Sequence, residues 1–344
     1  MKLEVNLVNP LDDERWEALA EHHPQSSAFH TVGWLLALAQ TYGYRPLVLT
    51  TARAGESLNN GLLLCPVKSW LTGKRLVSLP FADHCELLLE GPQQAAEFGK
   101  WLQAESAAWD YIELRTRSQA TLPGAENGQR YWFHELDLAP SLEQLFQSLH
   151  KSSIQRKVRR AEKEGLSYEA GRSPHLIEEF YRLLLMTRRR HRLFPQPRNW
   201  FTNLTACLGD KLQVRIARKD GAPIAAMITL KHRATVIYKY GCSDERWHQL
   251  GGMAFLFWKL IEESKAAGAA IIDFGRSDGD NPGLVIFKDR FGTRRTELVY
   301  QRYRNVEARK SAGIGGARMM RRVCSLLPDS LLTISGRLLY RHLG

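Results

Sequence analysis

An order of elements that recurs about 160 residues further along constrains this chain more than any single motif. QVRIARK (213–219) and PIAAMITLK (223–231) flank Asp220-Gly221, a hairpin turn signal, and ATVIYKYG (234–241) follows as a third strand. GMAFLFWKLIEESKAAG then sets Met253, Leu256, Phe257, Leu260 and Ile261 on one face of a helix closed by Gly268. AAIIDFGRS (269–277) is the next strand. The first half reads the same way. PLVLTTAR (46–53), GLLLCPVKS (61–69) and KRLVSLP (74–80) are strands, PQQAAEFGKWLQAESAA (92–108) is a helix, and DYIELRTRS (110–118) is a strand.

An internal duplication explains this order. The expected architecture is α/β with two tandem units, each a mixed, mostly antiparallel sheet flanked by helices. With 344 residues the chain has room for two such domains. The expected divisions are 1–145, 146–305, and a short basic helical tail at 306–344 with Leu, Ile and Met interleaved.

Charge separates the two copies. Residues 1–150 carry 11 Lys and Arg against 18 Asp and Glu, and residues 151–344 carry 37 against 18, so an anionic partner is expected to meet the second half. Five scattered cysteines without a C-x-x-C pair argue against a zinc site or a disulfide framework, and no metal is expected. The first residues lack the order of a signal peptide, and no apolar run has the length of a membrane span. A cytoplasmic location follows as an expectation, with a peripheral contact at the inner membrane face left open.

Several stretches carry chemistry or a plainer structural reading. Arg156, Arg159, Arg160 and Lys163 share one face of a helix, which suits phosphate binding or simple solvation. MTRRRHRLFPQP (186–197) gathers cations at a helix end, where they also complement the helix dipole. RWHQLGG (246–252) precedes a helix whose first N–H groups can face an anion. Asp83-His84 follows a strand of the first copy, and DFGRSDGDNPGLVIFKDRFG (273–292) adds a turn and a lysine that the first copy lacks after Ser118. No G-x-S-x-G or recognisable cysteine nucleophile is present, so direct attack on an activated acyl group is the chemistry these residues permit.

FHTVGWLLALAQTYGYRP (29–46), LPFADHCELLL (79–89), SIQRKVRRAEKEGL (153–166), MTRRRHRLFPQP and DFGRS followed by GLVIFKDRFG together resemble the Fem-type peptidyltransferases of the GNAT acyltransferase superfamily. The resemblance spans about residues 29 to 304 and implies tandem GNAT-like units. RWHQLGGMA departs from the superfamily's R/Q-x-x-G-x-G/A loop, and no long heptad arm of the kind found in relatives that use aminoacyl-tRNA is present.

What the resemblance implies is an N-acyltransferase acting on an amine of a cell-envelope or polysaccharide precursor. Acyl-CoA, above all acetyl-CoA, is one donor and aminoacyl-tRNA the other; a non-catalytic binder of an anionic lipid or polysaccharide is the third reading. The donor side is then expected at Tyr240, Trp247, Gln249, Gly251 and Gly252. The substrate side is expected at Arg156, Arg159, Arg160, Thr187, Arg188, Arg190, Asp273, Gly275, Arg276 and Phe291. Lys288, Asp83 and His84 are the catalytic candidates. The acceptor is expected to be a small or lipid-linked anionic molecule, with tRNA and, through 306–344, an anionic membrane as further partners.

Overall fold

A computed structural model describes residues 4–118, 121–304, 336 and 339–342. The first copy runs β1 (Asn6–Val8), α1 (Glu14–His22), α2 (Val32–Tyr42), β2 (Leu47–Thr50), β3 (Leu62–Ser69), β4 (Gly73–Val77), α3 (Pro92–Glu105), β5 (Tyr111–Leu114) and β6 (Glu126–Asp137). After α4 (Leu142–Ser148) and α5 (Arg156–Lys163) come β7 (Ser167–Gly171), α6 (Pro174–Arg190), α7 (Arg198–Leu208), β8 (Leu212–Lys219), β9 (Ala222–His232) and β10 (Thr235–Ser243). The order closes with α8 (Gly252–Ala266), β11 (Ile271–Asp278), α9 (Pro282–Asp289) and β12 (Arg294–Arg304). The duplication extends beyond the elements expected from sequence: β1, α1 and α2 have counterparts in β7, α6 and α7, and β6 has one in β12.

Two compact units result, and their membership is not the expected one. The first takes residues up to 130 with 298–304 and 339–342, and the second takes 131–297 with 336. The boundaries expected at 145 and 305 are therefore corrected. The physical reason is strand pairing. Residues 131–137 of β6 pair antiparallel with β11 of the second unit, and Gln301–Arg304 of β12 pair antiparallel with β5 of the first. Each unit is completed by the last strand of the other copy's sequence. The expected tail at 306–344 lies outside the described residues except at 336 and 339–342.

Within the first unit β1, β2, β3 and β4 follow one another antiparallel, and β4 and β5 are parallel. The second unit repeats this: β7, β8, β9 and β10 are antiparallel neighbours, and β10 and β11 are parallel. The β8–β9 hairpin turns at Asp220 and Gly221, both with positive φ (49° and 80°), as a two-residue turn between right-twisted strands requires. Helix α8 is closed by Gly268 at φ 72°.

Each unit has its own core. Leu49, Leu62, Leu64, Leu76, Phe98, Leu102, Ile112 and Leu114 form that of the first. The second is built around Phe257, whose ring stacks on Phe274 at 4.8 Å and meets Phe291 at 4.6 Å. Glu113 on β5 is buried between Arg115 at 3.0 Å and the β12 residue Arg302, whose Nε donates to it at 2.9 Å. Removing one partner of such a buried pair costs roughly 3 kcal/mol. We expect Arg302→Ala to lower the unfolding free energy by about that amount in urea titrations, and a fragment ending at residue 145, which lacks β12, to show no cooperative melt. A cooperative melt of that fragment would contradict the strand assignment.

Candidate functional site

Strands β10 and β11 are parallel neighbours for only three residue pairs, Thr235–Ile271, Val236–Ile272 and Ile237–Asp273. Beyond them β10 stays with β9 as far as Ser243–Ala225, and β11 stays with β6 as far as Asp278–Tyr131. Both strands are bulged where they part, β10 between Tyr238 and Tyr240 and β11 between Asp273 and Gly275. A bulge bends a strand and sharpens its twist, so two bulges here accompany the parting of the neighbours. A Cβ on Gly241 would lie 2.0 Å from the Tyr238 hydroxyl, so the bulged β10 needs glycine there. Burial pushes the Tyr238 phenol well above its ordinary range.

The end of β10 leads through a short helical turn (Glu245–Leu250) to the start of α8. Gly251 takes the left-handed conformation at φ 78°, and a Cβ there would stand 2.7 Å from the Lys157 carbonyl oxygen of α5. A Cβ on Gly252 would meet the Ala225 Cβ at 3.0 Å. The glycine pair thus lets the start of α8 sit directly against α5 and β9. The arrangement leaves the positive end of α8 bare of any acidic side chain in its first turn.

Cations from α5 and α6 act on this corner. The Thr187 side chain accepts from Ser243 N–H at 3.0 Å, and Arg190 donates to the Ser243 carbonyl at 3.2 Å. The Ser243 hydroxyl lies 2.9 Å from His248 Nε2. Partial burial, then Arg190 and Lys157, hold the His248 imidazole below its usual pKa. Burial, Arg190 and Arg188 do the same to His191. Burial contributes most to both shifts, and the cations that add to them mark a positive field that an anion would relieve. Arg246 is occupied separately, paired with Asp244 at 2.6 Å.

The structure brings Thr187, Arg190, Gly251 and Gly252 together at this corner, along with Lys157 and Ser243, which sequence reasoning missed. Lys157 lies outside the Arg156, Arg159, Arg160 pattern, and Ser243 is an ordinary strand residue with no motif around it. Gln249 is exposed on the same turn, and Trp247 packs on the core of the second unit. Arg156, Arg159 and Arg160 are exposed on α5; Arg159 lies over the Phe146 ring and Arg160 pairs with Glu164 at 3.6 Å. Tyr240 is buried, and its hydroxyl accepts from Trp200 Nε1 at 2.9 Å.

Other candidates are engaged in holding the fold. Phe291 is fully buried in the aromatic core, so its expected place on a substrate surface is corrected. Lys288 is 2% exposed. Its ammonium donates to the carbonyls of Gly275 and Arg276 at 3.0 and 2.8 Å. Asp273 Oδ1 accepts from Gly275 N–H at 2.6 Å, and Arg276 stacks on the Tyr131 ring at 4.2 Å. In the first unit His84 is buried, its Nδ1 3.8 Å from Glu86 and its ring edge-on to Phe29, and the Asp83 carbonyl accepts from Tyr300 at 2.7 Å. Although burial opposes it, the field of His84 and Arg117 and a hydrogen bond from Thr116 hold the Glu86 carboxyl below its usual range. Among the described residues no cluster of His, Cys, Asp or Glu could hold a metal, and no helix is long and apolar enough to cross a membrane.

Residues 148–283, which contain α5, the parted strands and α8, match the acetyltransferase (GNAT) domain family. The match is confined to that stretch, which is less than half of the chain. Its fold as a whole is similar to that of FemX, with a TM-score of 0.70 at 13% identity over 88% of this chain and 98% of that one. L-PGS from Bacillus licheniformis gives 0.58 at 13% identity, covering 98% and 99% of the two chains. A tandem GNAT protein from the clavulanic acid biosynthesis pathway gives 0.52 at 14% identity, covering 87% and 98%. These likenesses establish a Fem-like tandem GNAT fold. No curated protein matches the sequence significantly.

Two predictions concern the packed interior of the second unit. Phe291→Ala should cost roughly 3–5 kcal/mol in denaturant unfolding, as large-to-small changes in a packed core do. Protonation supplies the other. Burial first, and then the Lys288 ammonium, depress the pKa of His134, which lies fully buried on β6 with Nε2 3.2 Å from Asp289. The unfolded chain therefore binds the proton first, and stability falls as pH drops below about 6.5. Melts between pH 7 and 4 should show a smaller loss for His134→Gln than for the natural chain, and an equal loss would refute this assignment.

Proposed function

We propose that the chain moves an acyl group from a CoA thioester, seated between β10 and β11 of the second unit, onto an amine of a cell-envelope or polysaccharide precursor. The observation that carries this reading is the coincidence of a parted parallel strand pair with a cation-rich helix start inside the matched GNAT region. An extended amide-bearing arm can pair with a strand edge that has no ladder partner, and the diphosphate end of such a donor suits the corner formed by Lys157, Arg190 and the start of α8. In the reaction the amine nitrogen bonds to the acyl carbon, the carbon–sulfur bond breaks, and the proton lost by the amine balances the one taken up by the thiolate. The likeness to FemX and L-PGS over most of the chain supports a second donor, aminoacyl-tRNA, for which the exposed Arg156, Arg159 and Arg160 of α5 offer phosphate contacts. On composition, the basic stretch 306–344 is proposed as a contact with an anionic membrane face at the cytoplasmic side.

Calorimetric titration with acetyl-CoA and with charged tRNA at fixed salt tests the donor. The CoA reading expects saturable acetyl-CoA binding that Arg190→Ala and Lys157→Ala each weaken about tenfold, the worth of one charge-assisted hydrogen bond. It also expects binding to tighten as pH falls, because the anion raises the depressed pKa of His248 and a proton is taken up; His248→Ala should flatten that dependence. Binding of charged tRNA alone, with an affinity falling steeply with salt, would replace the donor. Binding of neither would overturn both.

A further inference from the structure

The two copies differ most where their parallel strands part. Aligned by the repeat, YIELR at 111–115 lies on IIDFG at 271–275, so Glu113 matches Asp273 and Arg115 matches Gly275. In the first unit the β4–β5 pairing also ends after three residues, at Val77–Glu113, but the chain that follows closes the gap. Ser78 N–H donates to the Glu113 carbonyl at 2.8 Å, Arg115 N–H to the Ser78 hydroxyl at 2.9 Å, and Cys85 N–H to the Arg115 carbonyl at 2.6 Å. The Arg115 guanidinium fills what is left, donating to the carbonyls of Leu79 at 2.7 Å and Ala82 at 3.3 Å.

In the second unit Gly275 offers no side chain to fill that place. It has φ 71°, a conformation that a residue with a Cβ rarely takes, and its N–H is turned onto Asp273 Oδ1. Consecutive carbonyls of a regular strand point to opposite edges, yet those of Gly275 and Arg276 both reach the Lys288 ammonium. The strand is therefore turned at this point. Lys288 comes from α9, the helix that has no counterpart in the first copy.

Building on the donor seat proposed above, we infer that Lys288 is a positioning residue. Its ammonium holds β11 turned at Gly275–Arg276, which keeps β11 parted from β10 and leaves an acyl donor's arm one seat, in the second unit. Arg115 closes the equivalent place in the first unit. The Lys288 ammonium reaches two main-chain oxygens within its own unit, and its burial keeps it on the strand. A neutral side chain there leaves the buried Gly275 carbonyl and the part-buried Arg276 carbonyl without that donor, and straightening β11 onto β10 is the move that re-pairs the strand.

The test combines hydrogen exchange of the 271–278 peptide with acetyl-CoA kinetics for Lys288→Met and Lys288→Arg. The expected result is slower exchange in Lys288→Met as the strands zip together, a KM for acetyl-CoA raised at least tenfold with kcat changed less, and recovery of both in Lys288→Arg. Unchanged exchange with an unchanged KM and a kcat lowered a hundredfold would overturn the inference and put Lys288 at the reacting atoms. If the natural chain neither binds nor turns over acetyl-CoA, the donor reading fails, while the exchange comparison still decides whether Lys288 turns the strand. Should Lys288→Met not fold, Asp273→Ala, which removes the acceptor of the Gly275 N–H, should also slow exchange at 274–278; unchanged exchange there would overturn the inference.

Discussion

The parting of β10 from β11 after Ile237 and Asp273 is the constraint on which the rest of the second unit depends. A parallel pair that stops after three residues leaves polar main chain to satisfy, and a folded interior does not tolerate that without replacement partners. The replacements here are specific side chains. Asp273 takes the N–H of Gly275, Lys288 takes the carbonyls of Gly275 and Arg276, and a left-handed glycine permits the turn. Helix α9 exists in the second copy alone, and its buried lysine gives it a reason to be there.

Around this opening the chemistry is organised by charge. Residues 151–344 carry the excess of Lys and Arg, and among the described ones several are paired, as Arg218 is with Glu169 and Glu179. What distinguishes the corner at the start of α8 is convergence: Lys157 from α5, Arg190 from α6 and His248 from the turn after β10 act on one another with no acidic side chain in the first turn of α8. A field of that kind favours a polyanion and explains why glycines rather than larger residues begin the helix, since α5 must approach to within contact of Gly251.

Much of the fold was legible in the sequence because alternation, helical period and turn residues agree with the final structure. Asp220-Gly221 specifies its hairpin, and the Met253–Ile261 stripe specifies α8. The strand exchange was not legible. The sequence pattern gives no strand at β6 or β12, and only pairing energetics, with Tyr300, Gln301 and Tyr303 buried in the first unit, decides where β12 belongs. The site was partly legible. Charge and glycine patterns pointed to α6, α5 and the start of α8, whereas the burial of Lys288, Phe291 and His84 depends on packing that no local pattern records. Lys288 stands out in the sequence as a lysine that the first copy lacks, and in the structure it binds main-chain carbonyls of β11.

The central claim is that one unit of the duplicated fold is open to a donor and the other is closed. The most direct measurement is a crystal structure of the chain with a non-hydrolysable acetyl-CoA analogue. The account predicts one molecule per chain, its arm lying between β10 and β11 and its diphosphate beside Lys157 and Arg190. An analogue bound between β4 and β5, or in both units, would contradict it.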